Sequence, residues 1–336
     1  MSKIGRRVPP VLVLFFLSPV VGELLSGSSP PSEFFSPFGF TVMALLYGGG
    51  ALMARELKVR WGKGMGSLLL LGAAYGVLEE GLMVASFQNP HWPDLGVLGA
   101  FGRWLGVNWV WAVELTAYHA IVSITIPVML VELGYPEVRG EPWLEGRWLW
   151  LVSGLLMADV VFGLFIFSAF TGFRPPLPQY ALMVLLTLAF ILMARKLPAD
   201  WARRGAKPMR GPRFYGLITM MGALACGLIF GALPNMLAFS LAPLFVIFLG
   251  AATTIGVIRF LISYDWKQAT PMHRYGIVAG ALTLFVVFAF FQELDTTRPD
   301  DTSGMSLVGM AFLIGLYLLG RRLRKEIEIQ SLSTSA

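Results

Sequence analysis

The chain has 336 residues, of which 56% are hydrophobic and only 14% are charged, and its mean hydropathy is +0.69. A soluble domain carries roughly 25% charged residues, so this composition excludes a water-soluble globule and points to an integral membrane protein. The formal charge of +6 suits basic loops at a membrane surface better than a nucleic-acid partner, and no nucleic acid is expected. A single cysteine, Cys226, excludes an internal disulfide and a cysteine metal cluster.

In chain order, apolar runs fall at about 8–26, 37–54, 66–87, 105–132, 148–171, 179–196, 214–234, 238–263, 276–293 and 305–320. Each approaches or exceeds the ~20 residues that cross a ~30 Å hydrocarbon core as a helix. The expected fold is all-α, a polytopic bundle of about ten transmembrane helices in one domain spanning 1–336, multi-pass in the cell membrane. The first run resembles a signal peptide, but Glu23 interrupts it and no Ala-x-Ala site follows, so it reads as a retained helix. The break between the seventh and eighth runs is placed at Leu233-Pro234-Asn235.

Lysine and arginine set the orientation. Twenty-two of the 26 fall in alternate connections or at the termini, from Lys3, Arg6 and Arg7 through Arg55–Lys63 and Arg195–Arg213 to Arg321–Lys325. The positive-inside rule then predicts both ends of the chain in the cytoplasm. The opposite connections differ in kind. Residues 27–37 are rich in turn formers, and 88–104 carries two prolines and two tryptophans suited to an interfacial cap. Residues 293–301 are acidic.

Polar groups inside the runs are few. Glu23 lies near the end of the first run, where it can reach the outer interface. The third holds Glu79 and Glu80. The fourth holds Asn108, Glu114, Tyr118 and His119, and the fifth holds Asp159. Ionisable groups in hydrocarbon are costly and mark functional sites by default. The polar centre is therefore expected within 8–171, with 179–320 as apolar support. At 100° per residue, adjacent Glu79 and Glu80 point to different partners, and Glu114 and His119 are about 140° apart.

The stretch Gly76–Phe87 followed by Tyr118–His119 resembles the CAAX-prenyl-protease and bacteriocin-processing (CPBP) family of glutamate-dependent intramembrane proteases. The resemblance covers about 66–132. It implies that Glu79 or Glu80 activates a water and that His119 is its partner. Three positions depart from the family pattern. Val84 stands where its first motif ends in arginine, and Leu115 stands four residues before His119 where the family has phenylalanine. Its later membrane histidine has no counterpart, because His273 falls at a cytoplasmic connection.

Three functions use these residues differently. A membrane-embedded hydrolase, specifically a peptidase, would use Glu79, Glu80 and His119 as catalytic groups. A proton- or cation-coupled transporter would use Asn108, Glu114, Tyr118 and Asp159 as a pathway. A non-enzymatic scaffold or accessory subunit would use all of them to fix helix packing. Membrane lipids are expected partners, with a peptide or small-molecule substrate entering from the outer leaflet. The sequence leaves the cofactor open, with a divalent metal as the candidate. A divalent metal would need acids and His119 to converge from separate helices, which linear spacing does not demand.

Overall fold

The computed structural model describes residues 8–203 and 205–334; Lys3, Arg6, Arg7 and Arg204 lie outside the described residues. The chain is almost wholly helical. Its spans are α1 (Pro10–Leu24), α2 (Pro37–Arg60), α3 (Met65–Met83), α4 (Trp109–Gly134), α5 (Gly146–Thr171), α6 (Leu177–Lys196), α7 (Pro212–Met236), α8 (Ala242–Ile262), α9 (Pro271–Leu294) and α10 (Met305–Ile329). Among the described residues, nine of these are long and apolar enough to cross a membrane, and α1 is shorter. All ten coincide with the apolar runs of the sequence. Proline in the first turn starts α1, α2, α6, α7, α8 and α9. There its missing N–H costs nothing and its φ is already helical.

Two boundaries differ from expectation. Pro234 does not end α7. The chain leaves the helix at Leu237, where ψ turns to 122°. Residues 103–108 are not helical. Arg103–Trp104 (β1) pairs antiparallel with Val107–Asn108 (β2) in a small hairpin before α4.

The connections meet in two groups. At the basic end, Arg55 donates to the carbonyls of Val138 and Arg139, and Lys63 donates to the carbonyl of Leu197. His273, at the connection where the sequence put it, is buried there, with Nε2 2.8 Å from the carbonyl oxygen of Arg210. At the other end, Arg298 donates to the carbonyl of Gly27 and Gln292 to that of Ser26. Arg103 donates to the carbonyls of Gln88 and Asn89, pinning 88–108 as a cap.

Helices α3 and α4 are mostly buried and form the centre, whereas α5–α8 and α10 present broad apolar faces outward. The α3–α4 contact is very close. A Cβ on Gly72 would lie 2.8 Å from Ala120 Cα, and one on Gly76 would lie 2.9 Å from His119 Cβ. This is the small-xxx-small spacing by which membrane helices bring backbones together, and it carries His119 against α3.

Candidate functional site: a buried glutamate–histidine cluster

Four helices supply the cluster, and each leaves regular α geometry where it does so. Single π-helical turns occur at Val20–Leu24, Ala44–Gly48, Leu78–Met83 and His119–Thr125. They carry Glu23, Tyr47, Glu79 with Glu80, and His119. A π-turn accommodates an extra residue and redirects the side chains on it, and such turns concentrate at functional sites.

His119, 2% exposed, is the hub. Its Nδ1 lies 3.3 Å from Glu79 Oε2 and its Nε2 lies 3.2 Å from Glu80 Oε1. Ser123 Oγ is also 3.0 Å from Nδ1. One carboxylate oxygen and one hydroxyl thus compete for Nδ1, and Glu79 Oε2 is left without a well-formed hydrogen bond although buried. The other oxygens are held. Ser86, from the cap, donates to Glu80 Oε2, and Trp111 Nε1 donates to Ser86 Oγ at 3.1 Å.

On the far side, Tyr47 Oη lies 2.5 Å from Glu79 Oε1 and also contacts Glu23 Oε1. Ser29 donates to Glu23 Oε2 at 2.8 Å. One hydroxyl hydrogen cannot serve two carboxylate acceptors. A second proton must therefore be shared along Glu23–Tyr47–Glu79. The result is a continuous chain from Ser29 through Glu23, Tyr47, Glu79, His119, Glu80 and Ser86 to Trp111.

The other sequence candidates are placed differently. Asn108 is fully buried and caps α4, accepting from Trp111 N at 3.0 Å and donating to the carbonyls of Leu98 and Phe101. Tyr118 donates to the Gly22 carbonyl at 2.6 Å, with its ring 5.3 Å from that of His119. Glu114 turns away from the cluster into a cavity of ≈ 880 Å³ between α4 and the later helices. Asp159 is 5% exposed, and its Oδ2 has no hydrogen-bond partner. Glu23 does not simply reach the interface, and with Tyr47 it joins the cluster. Tyr47 was legible only as a polar group in the middle of an apolar run.

One atom from each of Glu79, Glu80 and His119 lies within 4.8 Å of the others. Three such ligands suit a divalent cation and leave a further position open for water, as in catalytic zinc sites. The metal geometry that spacing did not demand is thus within reach through folding.

The chain is a polytopic helical membrane protein with a polar cluster buried among its first four helices. It belongs to a family described as an uncharacterized membrane protein family, which matches residues 12–334. Nothing in that match links the chain to the CPBP proteases. No curated protein and no solved structure matches it.

Proposed function

We propose that the protein is a hydrolase embedded in the cell membrane, in the peptidase class, with Glu79, Glu80 and His119 as its working groups. The observation that carries this reading is the position of His119 between two carboxylates, one at each ring nitrogen, at 3.3 and 3.2 Å. A carboxylate that fixes the imidazole on one side leaves the opposite nitrogen and the second carboxylate to handle protons, which is the logic of an oriented acid–base pair. Glu79 is the deeper of the two acids and orients the ring. Glu80 has the more accessible side chain, 12% against 7%, and takes the proton of an attacking water. Ser86 Oγ donates to Glu80 Oε2 and Trp111 Nε1 to Ser86 Oγ, which fixes the orientation of the Glu80 carboxylate. Trp111 also lines the ≈ 880 Å³ cavity, so an apolar substrate would stand one side chain from the cluster. A bound divalent cation would supply Lewis acidity at the same three residues.

A second reading, a proton- or cation-coupled transporter, is favoured by the row of polar contacts from Ser29 to Trp111, in which Glu79 and His119 meet as an ion pair at 3.3 Å, and by Glu114 in the cavity wall. The two readings are separated in nanodiscs with a panel of quenched fluorogenic membrane peptides, with and without chelator. Turnover by the wild type, lost in Glu80→Gln and His119→Ala at unchanged melting temperature, supports the hydrolase. A folded wild type that cleaves nothing, or a Glu80→Gln variant that cleaves normally, rejects it.

A further inference from the structure

The ≈ 880 Å³ cavity is a slot rather than a pocket around one point. It follows α4 from Trp111 to Glu132, about 30 Å at 1.5 Å per residue, with α7, α8 and α9 as its other wall. That volume spread over that length leaves a bore on the order of 30 Å², narrow enough to favour extended hydrocarbon. Val122, Ile126 and Met129 on one side face Val257 and Ile277 on the other.

Its two ends differ. Ser26, Ser28 and Glu114 lie toward the capped end. Lys58, Lys63, Arg139 and Arg274 line the basic end. Glu132, which holds Lys58 at 2.5 Å, is the one acid lining that end among the described residues. Among the described residues the lining of this end thus holds four cations and one acid, Lys58 being taken up by Glu132, and Arg139 is exposed at it. Basic pockets between transmembrane helices are the setting in which anionic lipid head groups are held.

We propose that this slot is a binding site for an anionic phospholipid. The phosphate sits among Lys63, Arg139 and Arg274, and one acyl chain runs up the slot along α4. The phosphate end lies at the opposite end of the slot from Trp111, through which the slot adjoins the surroundings of the Glu79–Glu80–His119 cluster, and the proposal does not depend on the hydrolase reading.

The test uses the full-length protein, delipidated in detergent, and reads the rise in melting temperature on titration with phosphatidylglycerol, phosphatidylcholine or inorganic phosphate. Phosphatidylglycerol is expected to stabilise, and the other two to do so at least tenfold less effectively. Arg139→Gln with Arg274→Gln should weaken the phosphatidylglycerol response at least tenfold. Ala223→Phe, which fills the slot from α7, should weaken it with all the cations intact. Arg139→Gln alone alters an exposed side chain and serves if the double variant does not fold. Equal responses to the two lipids overturn the proposal, as does inorganic phosphate acting as well as the lipid. Full phosphatidylglycerol response in Arg139→Gln and in Ala223→Phe also overturns it.

Discussion

Tyr47 Oη on α2 lies 2.5 Å from Glu79 Oε1 on α3. The same hydroxyl contacts Glu23 from α1, so one tyrosine ties three helices to the cluster. Tyr47→Phe removes the donor between two buried carboxyl groups. The cost of leaving such groups unsatisfied is about 1–3 kcal/mol, and the variant is expected to melt correspondingly earlier in detergent. Adding Glu23→Gln should recover part of the loss, because it takes one of the two carboxyl groups out of the cluster. A Tyr47→Phe variant that melts like the wild type would refute the shared-proton chain.

Gly72 and Gly76 place α4 against α3. A methyl group at Gly72 would sit 2.8 Å from Ala120 Cα and 2.9 Å from the Ala120 carbonyl oxygen, atoms that move only with their helix. Gly72→Ala is therefore expected to destabilise by about 1–3 kcal/mol, the range for overpacking, and to displace His119 from Glu80. Gly256→Ala is the control, since nothing lies within 4 Å of its added Cβ; it should be neutral or stabilise by up to about 1 kcal/mol. Thermal melts of the two variants check this, and equal effects would count against the close approach.

The helices were legible because hydrocarbon demands long apolar runs, and the basic residues of the connections kept the count in phase. The meeting of Glu79, Glu80 and His119 was half legible. Adjacent acids in a span stand out, but regular helical facing put them about 100° apart with separate partners. The π-turn at Leu78–Met83 breaks that arithmetic, and both reach the same imidazole. Where α4 stays regular between Trp109 and Tyr118 the arithmetic works, and Glu114 and His119 face different spaces. Glu23 and Tyr47 were not readable as a pair, because their approach depends on two further π-turns and on Gly22, whose Cβ would strike the Tyr47 ring at 2.6 Å.

The basic end of α2 holds an ion network that looked like simple loop charge. Arg55 is fully buried, stacks on Trp143 at 3.5 Å and donates to Glu56 Oε1 at 2.8 Å. Glu56 also accepts from Trp143 N at 2.8 Å. Arg55→Ala removes the fully buried cation of this network, but Arg60 Nε remains 3.3 Å from Glu56 Oε2, so the loss should fall below the roughly 3–5 kcal/mol of a buried charge left with no partner. Arg147→Ala removes a cation whose side chain is 78% exposed and should change stability by less than about 0.5 kcal/mol. Chemical or thermal unfolding of both variants decides it, and a mild Arg55→Ala would show the network to be dispensable.

The orientation of the bundle rests on the positive-inside rule, and the two groups of connections make it testable. Gly140 is exposed in the connection between α4 and α5, at the basic end, with open space around its Cβ. Thr296 is exposed in the connection between α9 and α10, at the end where Arg298 ties to Gly27. In a Cys226→Ala background, Gly140→Cys and Thr296→Cys are treated with a membrane-impermeant maleimide in intact cells and again after permeabilisation. The expected pattern is labelling at 296 in intact cells and at 140 only once the membrane is opened, because the basic connections stay in the cytoplasm. The reverse pattern would invert the protein and place the lipid slot's basic mouth in the outer leaflet. Labelling of both positions in intact cells would contradict the alternation of the spans itself, since the five spans α5–α9 between them put the two positions on opposite sides.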